Sequence, residues 1–165
     1  MTEPFRTARL DVVPLRVGHA DEMAAVLSDP ALHTFIGGSP ASPGDLRARY
    51  ERLVAGSPDP AVAWCNWVLT LREESRPVGT VQATITETVA EIAWVVGTPW
   101  QGRGLASEAA RGLVALLRQS PSVPAVVAHI HPGHRASEAV ARAAGLEPTG
   151  EEHDGERRWR LSLRP

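Results

Sequence analysis

Apolar and polar positions alternate with different periods along the chain, and the changes of period mark its elements. Arg9 to Leu15 (Arg9-Leu10-Asp11-Val12-Val13-Pro14-Leu15) reads as a strand. The period then becomes helical. Ala20, Met23, Ala24 and Leu27 fall on one face, Asp21 and Glu22 sit where the positive end of a helix favours acids, and Pro30 bars continuation. The run Phe35-Ile36-Gly37-Gly38-Ser39-Pro40 predicts a loop with an apolar head and a flexible body. A second helix is expected over Pro43–Ala55, with Pro43 in its first turn, Leu46, Tyr50, Leu53 and Val54 at helical spacing, and Gly56 as cap.

Short strands follow. Trp64 to Leu71, Val78 to Thr86 and about Val89 to Gly97 predict an antiparallel meander. Leu105, Ala109, Leu113, Leu116 and Leu117 give an apolar face to a helix from Gly104 to Arg118. A strand over Ala125–His131 and a helix over Arg135–Ala144 come next. Two strands around the turn His153-Asp154-Gly155, Glu147–Glu152 and Arg157–Leu163, close the chain. This order is not a regular βαβ alternation. It predicts an α+β domain over residues 1–165, with a mixed, mostly antiparallel sheet and about four helices.

Composition excludes several chemistries. The chain has 165 residues, 43% hydrophobic and 22% charged, as expected of one globular domain. All 17 basic residues are arginine. Without lysine there is no Walker-type phosphate site, no Schiff base and no Ser–Lys dyad. Cys65 is the one cysteine, which rules out an intrachain disulfide and a thiolate-rich metal site. A net charge of −2 does not suggest nucleic-acid binding. No apolar run is long enough for a membrane span, so a cytoplasmic location is expected.

The most informative stretch is Trp94-Val95-Val96-Gly97-Thr98-Pro99-Trp100-Gln101-Gly102-Arg103-Gly104-Leu105-Ala106, where a strand ends and a helix begins at two glycines. The first N–H groups of a helix have no intrahelical partner, and the dipole places partial positive charge there. Gly102 and Gly104 permit positive φ and close approach of a ligand. The turn can therefore hold a pyrophosphate through backbone amides, with Arg103 at its rim, or be a tight connection with no ligand. A dinucleotide fingerprint fits poorly, because Ser107 stands at the third glycine position.

The run Gln101-Gly102-Arg103-Gly104-Leu105-Ala106 resembles the Q/R-x-x-G-x-G/A signature of the GCN5-related N-acetyltransferases (GNAT). The preceding strand and Pro99, the segment Ser137 to Leu146 and the order of elements over the whole chain resemble that family too. Arg9 to Leu15 is similar to the opening strand of the subgroup that acetylates protein N-termini and small amines. The resemblance implies acetyl-CoA as cofactor and a primary amine, of a small molecule or a peptide N-terminus, as acceptor. It implies splayed central strands, with the backbone of Val95, Val96 and Gly97 holding the pantetheine arm. Backbone amides from Gln101 to Ala106 would hold the pyrophosphate. An asparagine of the family's last helix is replaced here by His134, with Ser137 three residues on. A homodimer is compatible with the resemblance.

For catalysis, Glu91 is the candidate base by position, with Glu87 behind it. The family's tyrosine acid is missing, since its slot falls near Ala141, and the chain's one tyrosine is Tyr50. Ser137 is the candidate group that assists thiolate release. Phe35, Trp64 and Trp94 are candidates for the acceptor pocket. Trp64 and Trp67, three apart on a strand, should face opposite sides. Two other readings stay open: a non-catalytic acyl-CoA-binding module of the same fold, and a metallo-hydrolase using His129, His131 and His134.

Overall fold

The computed structural model describes residues 2–35 and 38–165. Ile36 and Gly37, within the expected glycine loop, lie outside the described residues. Strands β1 (Phe5–Arg6), β2 (Leu10–Pro14), β3 (Ala63–Leu71), β4 (Arg76–Ile85) and β5 (Ala90–Val96) pair in sequence order, each antiparallel to the next. The expected meander is thus present and extends back to β2. The two-residue β1 is an addition, too short to show a period. Val78 is the extra residue of a bulge, since Leu69 faces Gly79 and Thr70 faces Pro77. A bulge suits Pro77, which has no N–H for the ladder.

Helix α1 (Ala20–Val26) buries Ala20, Met23 and Val26. Helix α2 (Pro43–Ala55) has the bounds read from the sequence. Ser42 caps it by accepting a hydrogen bond from the Asp45 N–H at 3.1 Å, and Gly56 ends it at φ +91°. Helix α3 (Leu105–Arg118) is strongly amphipathic, burying Leu105, Ala109, Ala110, Leu113, Val114 and Leu117. Each such leucine contributes roughly 1.5–3 kcal/mol of burial. Strand β6 (Ala125–Ile130) and helix α4 (Arg135–Ala143) follow.

The chain ends in the hairpin β7 (Glu147–His153) and β8 (Glu156–Ser162). Its two-residue turn holds Asp154 at φ +51° and Gly155 at φ +79°, the two positive φ values of a primed hairpin turn. The sheet order is β1-β2-β3-β4-β5-β6-β8-β7. β8 therefore lies between β6 and β7, an arrangement the linear order does not reveal.

The functional geometry comes from one seam. Among the described residues β5 and β6 are the only parallel pair, in register at Ala90–Val126 and Glu91–Val127. Beyond Glu91 the strands splay. β5 stays on β4 down to the Gly79–Val96 pair, because Gly79 allows the backbones to close up. A Cβ at Gly79 would lie 2.2 Å from the Val95 carbonyl oxygen, inside any tolerable contact. From Ile92 to Val96, β5 thus has one edge on β4 and the other open.

Candidate active site

The open edge of β5 forms one wall of a cleft of about 610 Å³. Trp94, Val95 and Val96 line it on the sheet side. The turn after β5 and the N-terminus of α3 close one end, through Gln101, Gly102, Gly104, Leu105, Ala106 and Ser107. His134, Arg135 and Ser137 of α4 form the opposite wall.

Local sequence explains the shape of the closed end. Gly102 has φ +76° and Gly104 φ +79°, the left-handed region open to glycine. Gly104 is the N-cap of α3, so the first N–H groups of that helix face the cleft without intrahelical partners. Nothing lies within 4 Å of where a Cβ on Gly102 would sit, which leaves that side of the turn open to a ligand.

Side chains hold the turn without occupying it. The Gln101 amide donates to the Val96 carbonyl at 2.9 Å, tying the turn to the end of β5. Trp100 Nε1 donates to Glu74 at 3.0 Å, the leading reason that carboxyl lies below its ordinary range; slight burial opposes this and Arg103 adds to it. The first turn of α3 is fixed to β2 through Glu108. The Arg9 backbone N–H, the Arg9 guanidinium at 2.8 Å and the Thr7 hydroxyl all donate to its carboxylate. Burial alone would raise the Glu108 pKa, but these donors hold it below the ordinary value.

Arg103 corrects an expectation. Its guanidinium turns away from the cleft to Glu74 at 3.3 Å and Glu73 at 3.7 Å, and Arg9 donates to its carbonyl at 2.8 Å. Two carboxylates on the neighbouring turn outcompete the rim position. The turn therefore presents backbone N–H groups, and not the Arg103 guanidinium, to the cleft.

A second cleft, of about 310 Å³, lies on the other face of the sheet under α1 and α2. Leu32, Trp94 and Val95 line both clefts, so the two meet across the open edge of β5. Its walls include Leu15, Leu46, Arg49, Tyr50, Asn66 and Gln82. Burial pushes the Tyr50 phenol up to about 12, against the smaller pull of Arg49, so it stays neutral and can only hydrogen-bond.

A family model for the acetyltransferase (GNAT) domain matches residues 9–147. The chain belongs to the GNAT acetyltransferase family. The solved structures agree on the fold. A GNAT-family acetyltransferase from Bacillus anthracis superposes at TM-score 0.82 with 18% identity, over 98% of this chain and 99% of that one. RimL, a ribosomal L7/L12 α-N-protein acetyltransferase in complex with coenzyme A, gives 0.81 at 15% identity over 97% and 98%. AAC(6')-Ib with paromomycin and acetyl-CoA gives 0.77 at 18% over 93% of each chain. No curated protein matches the sequence.

The site residues expected of this GNAT domain sort as follows. Val95, Val96, Gln101, Gly102, Gly104, Leu105, Ala106, His134 and Ser137 line the first cleft. Gly97 ends β5 by donating to the Val78 carbonyl at 2.8 Å and does not line either cleft. His134 Nε2 lies 3.3 Å from Ser137 Oγ, and burial lowers its pKa, with His131 adding and Glu138 opposing. Phe35 lines the first cleft rather than the second and stacks on His134, centroids 4.5 Å apart at 10°. Trp94 lines both.

Trp64 lies outside both clefts. Cross-strand register puts it in one row with Thr84 and Glu91, on the face shared by Asn66, Gln82 and Ala93. Trp67, on the opposite face as the spacing predicts, is fully buried, and its indole N–H donates to the Glu3 carbonyl at 2.7 Å. Glu91 is half exposed, 3.4 Å from His129 Nδ1, and one step along β5 from the second cleft.

The three histidines of the motif make separate contacts. His129 pairs with Glu91, His131 Nδ1 accepts the Gly133 N–H at 3.0 Å, and His134 turns to Ser137. Among the described residues no group of three His, Cys, Asp or Glu could hold a metal ion. Likewise no described helix is long and apolar enough to cross a membrane. Arg135, Ser107 and the second cleft were not found from sequence. Its lining comes from α2, β3, β4 and β5 and from Leu15, Leu27, Leu32 and His33 between elements, which share no local pattern.

Proposed function

We propose that the chain transfers an acetyl group from acetyl-CoA to the primary amine of a small molecule or peptide N-terminus. The observation that carries this is the junction of the two clefts at Leu32, Trp94 and Val95, with the glycine turn Gly102–Ser107 lining the first cleft only. A long ligand with a phosphate end and a reactive end would be held at Gly102–Ser107 and present its reactive group at the junction. The coenzyme complexes of RimL and AAC(6')-Ib lend support.

Acetyl-CoA, when bound, supplies a thioester; the amine nitrogen forms a C–N bond to its carbonyl carbon, the C–S bond breaks, and one proton passes from amine to thiolate overall. The open edge of β5 orients the ligand through its unpaired backbone groups, and proximity accounts for much of the rate. Glu91, on the acceptor face beside His129, takes the amine proton through water. The Ser137 hydroxyl, backed by His134, donates to the departing sulfur.

Calorimetry with acetyl-CoA tests the binding step; no heat at roughly 1 mM ligand sinks the proposal. Glu91→Gln is expected to lower kcat for thiol release by about 10²-fold or more while leaving acetyl-CoA binding unchanged. A second reading, a non-catalytic acyl-CoA-binding module, is favoured by one fact: among the described residues no carboxylate lines the second cleft. Turnover that falls in Glu91→Gln rejects it.

A further inference from the structure

The walls of the second cleft define the charge of what enters it. Leu15, Leu27, Leu46 and Leu53 make the enclosure apolar. Asn66 and Gln82, adjacent on β3 and β4, offer neutral amides. Besides His33, Arg49 is the only ionisable cation in the lining, and no Asp or Glu contributes to it. Among the described residues Arg49 makes no ion pair, whereas Arg47 on the same helix is paired with Asp21 at 3.2 Å. Arg49 is therefore a guanidinium at an apolar cleft with its donor fork free.

We propose that the acceptor is a small primary amine carrying a carboxylate on an apolar body, with the carboxylate on Arg49. This rests on the acetyl-transfer reading of the same site. A guanidinium binds a carboxylate through two parallel hydrogen bonds, and Arg49 holds that fork at the cleft while the leucines receive an apolar body. A polycationic amine meets the opposite situation. It would desolvate several ammonium groups in a cleft with no carboxylate to receive them. Size agrees: about 310 Å³ is at the small end of ligand cavities, suited to a body near that of a single amino acid. The reaction is the one already balanced, with the amine of the amino carboxylate as nucleophile.

The test uses leucine, phenylalanine and 6-aminohexanoate, each beside its carboxamide, with spermidine and a leucyl peptide amide as further amines. Each is titrated calorimetrically into CoA-saturated protein and assayed for thiol release with acetyl-CoA. At least one amino carboxylate should exceed its amide, the peptide and spermidine by about tenfold or more in affinity and in kcat/KM. Arg49→Gln should abolish that preference, and Arg49→Glu should invert it. Circular dichroism checks the fold of both variants, whose altered side chain is exposed. An amide, peptide or spermidine that equals or beats every carboxylate overturns the proposal. So does a preference that survives Arg49→Gln, or a panel in which nothing binds although acetyl-CoA does. Failure to bind acetyl-CoA instead overturns the acetyl-transfer reading. The carboxylate–amide comparison on the unliganded protein then still decides whether Arg49 selects a carboxylate.

Discussion

His134 shows how one side chain can replace another in role while changing its pH behaviour. The family resemblance places an asparagine at this slot. A neutral imidazole, like an amide, offers both a donor and an acceptor, and here Nε2 lies 3.3 Å from Ser137 Oγ. Burial disfavours the charged form and His131 adds to that, so the folded pKa lies below the unfolded value of 6.5. Above the unfolded value both states are neutral and the pair is intact. As pH falls, the unfolded chain takes up a proton first, so stability is lost down through the folded value. His19 is shifted in the same direction by burial and will contribute alongside. His134→Asn should therefore lose less Tm than the parent between roughly pH 7.5 and pH 5, measured by parallel thermal melts. An equal loss in both proteins would remove His134 from this account. The residue was legible as a departure from a pattern, but its lowered pKa was not, since that depends on Phe35 and His131 packing beside it.

The glycine turn before α3 is an element whose local half was readable and whose distant half was not. Glycines at 102 and 104 mark a turn where positive φ is open at little steric cost, and both adopt it. The clamp that holds the turn joins Arg9 to Glu108, and no local period connects residues so far apart in sequence. Arg103 misled for the same reason, since its partners Glu73 and Glu74 sit on another turn. Gly104→Ala tests the element. At φ +79° an alanine costs about 1–2 kcal/mol of strain, and its Cβ would lie 3.4 Å from the Arg9 guanidinium that fixes α3. The expected result is a loss of about 1–2 kcal/mol in chemical denaturation together with weaker acetyl-CoA binding by calorimetry. A variant as stable as the parent would mean that the turn relaxes and that the left-handed cap is not required.

The whole molecule divides at the β5–β6 seam, and the division joins fold to function. On one side β1 to β5 each pair antiparallel with the next strand in sequence, and alternation alone located most of them. On the other, β8 inserts between β6 and β7, and parallel β6 touches β5 at only two register pairs. Those pairings are set by packing across the sheet and leave little trace in local alternation, so splaying was legible only through the family resemblance. Both clefts depend on this gap. Strand geometry points alternate N–H groups of residues 92–96 either to β4 or into the opening. The groups facing β4 are in a full ladder and should exchange slowly with or without ligand. The groups facing the opening, and those of residues 102–107 in the glycine turn, exchange with solvent until a ligand covers them. Hydrogen exchange by NMR should therefore show protection rising on acetyl-CoA addition at alternate positions of 92–96 and across 102–107, while residues 76–85 of β4 stay unchanged. Uniform protection of the whole sheet would indicate global stabilisation by mass action instead. Protection confined to residues 102–107 would mean that only the phosphate end is held and that the open edge of β5 does not bind the arm.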